Sequence, residues 1–181
     1  MFINRASLLC ILCSFLTACA ISTPDNILPV NNFQADRYMG KWYEIARLDH
    51  SFEQGLSDVS AHYQLLPNGN VEVINRGYNA DKKEWRDITG LAKFLGKSTI
   101  GSLKVSFFWP FYGGYHIAKL DKQNYSWAIV IGPSREDLWI LAREKTLPPK
   151  LLDQLVKKVS KLDIDTKKLI WVSQEQPDKG Q

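Results

Sequence analysis

Val59-Ser60-Ala61-His62-Tyr63-Gln64-Leu65-Leu66-Pro67-Asn68-Gly69-Asn70-Val71-Glu72-Val73-Ile74-Asn75-Arg76 decides the fold. Pro67-Asn68-Gly69-Asn70 is turn chemistry, because Gly and Asn tolerate the positive φ that a tight reversal needs. Before it Ala61, Tyr63 and Leu65 alternate with His62 and Gln64; after it Val71, Val73 and Asn75 alternate with Glu72 and Arg76. A period of two places each set on one face of a strand, so the segment reads as an antiparallel hairpin with one face turned to a core.

Working outward, the same signals recur. Strands are expected at about residues 41–48, 59–66, 71–78, 85–95, 103–109, 114–120, 125–131 and 138–144, with further turns at Asn79-Ala80-Asp81-Lys82 and Asp121-Lys122-Gln123-Asn124. The short connections imply a meander. Pro148-Pro149 then opens a helix in which Leu151, Leu152, Leu155, Val156, Val159 and Leu162 share a face and Lys150, Lys157, Lys158 and Lys161 lie off it. Leu169-Ile170-Trp171-Val172 reads as a short ninth strand. Eight antiparallel strands in sequence expose two edges unless they close, and eight is enough to hold one small ligand inside. The expected fold is therefore all-β: an eight-stranded antiparallel up-and-down barrel, with one C-terminal helix packed outside. A membrane-spanning barrel would need a lipid-facing apolar band, whereas this outer surface must carry Lys82, Lys83, Lys119 and a packed helix.

Composition agrees with one folded domain. The chain has 181 residues, 45% hydrophobic and 23% charged, with only 11 Gly and 8 Pro, which excludes disorder and collagen-like sequence. A net charge of +4 with interspersed acids is unlike a phosphate-binding stripe, so no nucleic-acid partner is expected. All 3 cysteines, Cys10, Cys13 and Cys19, fall before the strands. They leave no thiol for a disulfide framework, a Cys-based zinc site or a cysteine nucleophile in the folded body.

Arg5 followed by the short apolar run Leu8 to Leu16 reads as a signal peptide, far below the ~20 residues needed to span a bilayer. Its end, Leu16-Thr17-Ala18-Cys19, resembles the lipobox of bacterial lipoproteins; the plainer alternative is a secretory signal with an incidental cysteine. The resemblance implies that Cys19 is the first mature residue and carries a diacylglyceryl thioether plus an amide-linked acyl chain such as palmitate. Several chains anchor stably where one would not, each buried CH₂ adding about 0.8 kcal/mol. Ala20, rather than Asp, after that cysteine implies the outer membrane of a Gram-negative cell. The expected organisation is signal peptide 1–18, lipidated N-terminus and polar tether 19–33, barrel 34–175 and polar tail 176–181, the tether giving reach and not structure.

Gly40-Lys41-Trp42-Tyr43-Glu44-Ile45-Ala46-Arg47 resembles the first signature of the lipocalins, in the form found in bacterial outer-membrane lipoprotein lipocalins and apolipoprotein D. Leu120-Asp121 through Asn124-Tyr125 is similar to the second signature, though it lacks the Thr-Asp-Tyr triplet. Leu138-Trp139-Ile140-Leu141-Ala142-Arg143 is similar to the third. Asn75-Arg76-Gly77-Tyr78 and the block Val105 to Tyr115 add to the likeness, which covers residues 33–172 in order. It implies that Gly40, Trp42 and Arg143 form a structural plug at the closed end, the guanidinium stacked on the indole. The mouth then lies at residues 49–58, 79–84, 110–113 and 132–137.

Alternation nominates the cavity lining, with Tyr63, Val73, Asn75, Phe94, Val105, Phe107, Tyr115 and Trp139 as ligand-binding candidates. Ala61, Leu65, Val71, Ile88, Gly90, Ala92, Leu103, Ile117 and Leu141 point the same way. An apolar cavity with isolated hydrogen-bonding points suits an acyl chain whose head stays near the mouth; the plainer alternative is that these side chains simply fill the barrel. Catalysis finds little support. His50, His62 and His116 read as solvated and pair with no second ligand at metal spacing, no serine has a base at recognisable spacing, and neither metal nor cofactor is expected.

The expected protein is a periplasm-facing outer-membrane lipoprotein, not an enzyme, that stores or carries fatty acids or lysophospholipids for envelope maintenance or stress. A structural or interaction lipoprotein, or an enzyme acting on a bound lipid, are the alternatives. Phe108, Trp109, Phe111 and Tyr112 fall at the expected mouth. Either they meet a membrane or a second copy in a homodimer, or they fold inward and narrow the entrance.

Overall fold

The computed structural model describes residues 21–177. Eight antiparallel strands close on themselves: β1 (Gly40–Arg47), β2 (Leu56–Leu65), β3 (Val71–Asn79), β4 (Glu84–Phe94), β5 (Ser102–Phe108), β6 (Phe111–Leu120), β7 (Trp127–Ile131) and β8 (Leu138–Ala142). Each pairs with its successor, and β1 pairs with both β2 and β8, which closes the barrel. A short helix α1 (Ala35–Tyr38) precedes β1, α2 (Pro149–Ser160) lies outside, and β9 (Ile170–Trp171) adds to β1. The expected architecture is the one observed.

The strand ends differ from the sequence reading for local reasons. β2 begins at Leu56, ahead of the expected start, because a register shift between Ser57 and Ser60 absorbs Asp58 at a positive φ of 53°. β6 begins at Phe111, so most of the expected mouth loop 110–113 is already paired strand. β7 starts two residues later than expected because Tyr125 has φ 56°, and β8 stops at Ala142 so that Arg143 can turn to the barrel floor.

β7 carries Ala128-Ile129-Val130-Ile131, fully buried on both faces. Ala128 and Val130 belong to the interior cluster with Trp42 and Tyr63. Ile129 and Ile131 belong to an outer cluster with Ile45, Ala46, Ile140 and the helix residues Leu155 and Val159. Helix α2 therefore covers β7, β8 and β1, and burying Leu155 and Val159 contributes about 1.5–3 kcal/mol each. Leu162 is also buried, whereas Leu151, Leu152 and Val156 are half-buried at the edge of that contact.

β1 meets β2 only over Gly40–Tyr43. Above that point the strands part and the C-terminal segment fills the gap: Val172 N–H donates to Ile45, Asp58 N–H to Ser173, and the Gln174 amide to the carbonyls of both Glu44 and Val59.

Residues 21–33, expected to give reach without structure, run against the barrel, and the Phe33 ring enters the interior cluster and lines the cavity. Val30 exchanges backbone hydrogen bonds with Ile117 and Gly101, and Phe33 N–H donates to Thr99. Ile27 and Phe33 are buried; apolar side chains spaced through a polar stretch supplied the contacts that lack of periodicity did not reveal. This segment also overturns the expectation of a solvated His116. Its outward parity is right, but the backbone of Ile21 and Ser22 covers it, and Nδ1 pairs with Ser102 Oγ at 2.9 Å. Burial holds its pKa below the ordinary value.

Candidate functional site

The barrel encloses a cavity of about 550 Å³, within the range of small-molecule sites. All eight nominated side chains line it. Tyr63 comes from β2, Val73 and Asn75 from β3, and Phe94 from β4. Val105 and Phe107 come from β5, Tyr115 from β6, and Trp139 from β8. Ala61, Val71, Ile88, Ala92, Leu103 and Leu141 complete much of the apolar wall. Gly90 matters for space, since a Cβ there would stand 2.7 Å from the Phe107 ring. Ile117, expected to face inward, is buried in the interior cluster.

At the floor the Arg143 guanidinium lies 4.0 Å from the Trp42 ring centroid and donates to the carbonyls of Lys41, Met39, Arg37 and Tyr125. Trp42 Nε1 donates to Tyr38 O at 2.7 Å, so the indole has no unmet polar atom. Gly40 sits at φ 89°, a conformation L side chains rarely adopt, with Arg143 packed over it. Just above, the hydroxyls of Tyr38, Tyr115 and Tyr63 form a chain with spacings of 2.7 and 2.8 Å. Desolvation pushes all three phenols above their ordinary pKa, so they stay protonated donors.

The upper wall holds charge that the sequence reading missed. A register shift between Glu44 and Ala46 sends Ile45 and Ala46 outward, and Arg47 turns inside to meet Glu44 Oε1 at 2.7 Å. Arg47 also donates to the carbonyls of Glu53 and Leu56, and Glu53 accepts from Trp139 Nε1 at 3.0 Å. Two buried carboxylates thus share one guanidinium. Desolvation, with the Glu53 charge adding to it and Arg47 opposing, pushes the Glu44 carboxyl up to about 8, and desolvation raises Glu53 as well. The available signal was Glu44, which alternation from Trp42 puts on the interior face.

His50, expected in solvent, is buried instead, its ring stacked 4.5 Å from Trp139 and 5.4 Å from Phe52, with Nδ1 3.6 Å from Asp137. The β1–β2 loop folds over the mouth and brings it there. His62 is half-buried on the outer face. Among the described residues no group of three His, Cys, Asp or Glu converges as a metal site.

At the opposite lip Phe108, Trp109 and Phe111 are 71%, 83% and 74% exposed; Phe108 and Phe111 also border the cavity, and Trp109 does not. Tyr112 is half-buried with Lys104 4.6 Å above its ring. Phe52 is exposed across the mouth.

A closed eight-stranded barrel with an outer helix, a Trp–Arg floor and an apolar cavity defines a lipocalin, and a profile described as Lipocalin-like domain matches residues 33–174. The chain belongs to that family. It is 47% identical over 165 residues to the Outer membrane lipoprotein Blc of Vibrio cholerae serotype O1, covering 91% of this chain and 96% of that one. The protein of the same name in Escherichia coli K12 is 46% identical, with 88% and 90% covered. Apolipoprotein D of Macaca fascicularis is 34% identical, with 80% and 78% covered. Among solved structures, insecticyanin from the tobacco hornworm Manduca sexta shares the fold with a TM-score of 0.64 at 22% identity, covering 84% of this chain and 86% of that one.

Proposed function

We propose that this chain is an outer-membrane lipoprotein, anchored by acyl chains on Cys19 and facing the periplasm, whose barrel binds a fatty acid or a lysophospholipid for storage or carriage linked to envelope maintenance or stress. The cavity carries this reading: about 550 Å³ of mostly apolar wall, with polar atoms gathered at the phenol trio and at the Glu44–Glu53 wall. An acyl chain gains from every CH₂ it buries there, and a head near the mouth keeps its own polar atoms hydrated. The names of the Vibrio and Escherichia relatives support the anchor and its membrane. The reading is of a binding protein and not a catalyst, because the cavity carboxylates Glu44 and Glu53 are engaged by Arg47 and Trp139, and Asp137 accepts from Ser134.

Cys19→Ser tests anchor and cavity together. The variant should leave the membrane fraction, fold, and bind palmitate or lysophosphatidylethanolamine with a change in tryptophan fluorescence, since Trp139 lines the cavity. Adding Ala92→Trp to that soluble form should fill part of the cavity and weaken binding at least tenfold, with the circular dichroism of a barrel retained. Undiminished binding in the filled variant, or a Cys19→Ser protein that still carries acyl chains, would contradict the proposal.

A further inference from the structure

Just above the Trp42–Arg143 floor the polar chemistry is left one bond short. Tyr63 stands on β2 opposite Gly40, about 23 Å along the strand from Leu56 at the mouth, and Tyr115 stands on β6 opposite Leu103. With Tyr38 they form a chain of hydroxyls at 2.7 and 2.8 Å, Tyr115 in the middle. Either oxygen of a pair can donate, yet two links use only two of the three protons whichever way they point. One O–H is always left over, and among the described residues no other group accepts it. The side chains packed about the trio, Phe33 and Trp42 against Tyr38 and Leu103 beside Tyr115, carry no oxygen. Desolvation keeps all three phenols protonated, while the Arg143 charge pulls Tyr38 and Tyr63 the other way, which makes their O–H groups stronger donors.

A buried O–H without an acceptor is costly, so the cavity gains by holding an oxygen there. The Tyr38 and Tyr63 hydroxyls both touch that of Tyr115, so they stand no more than about 5.5 Å apart, the span of two hydrogen bonds. One oxygen set between them that accepts from one end and donates to the other closes a ring in which every proton is used. An alkyl tail does neither, and a ketone accepts without donating; a hydroxyl does both. We propose that the phenol trio is a subsite for a ligand hydroxyl, and that the barrel selects acyl chains hydroxylated towards the end remote from the head group. The inference rests on the reading given above, in which an acyl chain enters with its head near the mouth; its tail then reaches the level of Tyr63.

The test titrates the Cys19→Ser chain calorimetrically with palmitate, 3-hydroxypalmitate, 12-hydroxypalmitate and 16-hydroxypalmitate. At least one of the two chains hydroxylated towards the tail should bind at least threefold more tightly than palmitate. 3-Hydroxypalmitate, whose hydroxyl stays with the head, should show no such gain. Replacing Tyr38, Tyr63 and Tyr115 together by Phe keeps the ring shapes and removes every donor of the trio. In that variant palmitate should bind within about threefold of its former affinity, while the tail hydroxyl becomes a penalty and the order reverses. A second reading needs no change to the trio: nuclear Overhauser contacts from the carbinol proton of the preferred ligand should reach the Tyr38 and Tyr63 rings.

Palmitate binding as tightly as every tail-hydroxylated chain, or a preference that survives loss of the three phenols, would overturn the subsite. So would carbinol contacts confined to mouth residues such as Phe52. Palmitate affinity lost together with the phenols would show that the carboxyl head itself goes down to the trio, and would overturn the assignment to a tail hydroxyl. A chain that binds none of the four ligands would instead contradict the lipid reading, and the subsite with it.

Discussion

Two arginines, Arg47 buried and Arg143 half-buried, divide the barrel between them. Arg143 at the floor faces only neutral carbonyls and the Trp42 ring, and every donor it spends there ties α1, β1 and the β6–β7 connection together. Arg47 on the upper wall faces two carboxylates, and its Nε lies 3.9 Å from Glu53 Oε2, in ion-pair range with no hydrogen bond made. The floor is polar chemistry brought to completion, so it contributes rigidity and little else. The wall holds one carboxylate more than its cation can neutralise, and burial relieves the excess by keeping a proton on it. The same residue type therefore closes one end and leaves the other able to respond.

The largest effect should come from breaking the floor. Trp42→Ala removes a fully buried ring and its contact with Arg143, and should cost on the order of 3 to 5 kcal/mol, measured by urea unfolding, with ligand affinity per folded molecule nearly kept. Unchanged stability with lost binding would move Trp42 from the plug to the ligand site.

The wall should show itself in pH. The folded Glu44 pKa, about 8, lies above the ordinary glutamate value of 4.5, so the folded chain binds more protons than the unfolded chain between them. Stability is then full below pH 4.5, falls as pH rises towards 8, and levels beyond; the raised Glu53 adds in the same direction. The Glu44 part of the difference between urea midpoints at pH 5 and pH 8 should have that sense, and Glu44→Gln should remove it. The lowered pKa of His116 acts in the opposite sense across this window, so the Glu44 contribution is read as the difference between wild type and Glu44→Gln; an identical pH dependence in the two would contradict the assignment of the proton.

The smallest stability effect belongs to the rim. Trp109→Ser should change unfolding free energy by no more than about 0.5 kcal/mol, because the ring packs on little within the chain. A melting temperature lowered by several degrees would show the ring to be core.

The sequence made the repetitive part of this molecule readable. Where strands keep strict alternation, as Tyr63, Val73 and Val105 do, a period of two placed each side chain on the cavity wall. It could not place Arg47, because a single register shift between Glu44 and Ala46 reverses the parity beyond it. Nor could it reveal His50 and Glu53, which reach the wall from a folded-over loop whose conformation has no period. His116 was legible as outward and illegible as buried, since its cover is residues 21 and 22, distant in sequence and without strand character. Gly40, Trp42 and Arg143 were recovered through resemblance; spacing alone would not have joined positions a hundred residues apart.

The central claim is that the barrel holds a lipid, and native mass spectrometry of the Cys19→Ser chain, purified from its own cells without detergent, tests it most directly. The account predicts a population heavier than the bare chain by the mass of one acyl-chain lipid. That mass should be released on denaturation and identified on extraction as a fatty acid or lysophospholipid, and it should be diminished by Ala92→Trp. A bare chain that also fails to take up added palmitate or lysophosphatidylethanolamine would contradict it.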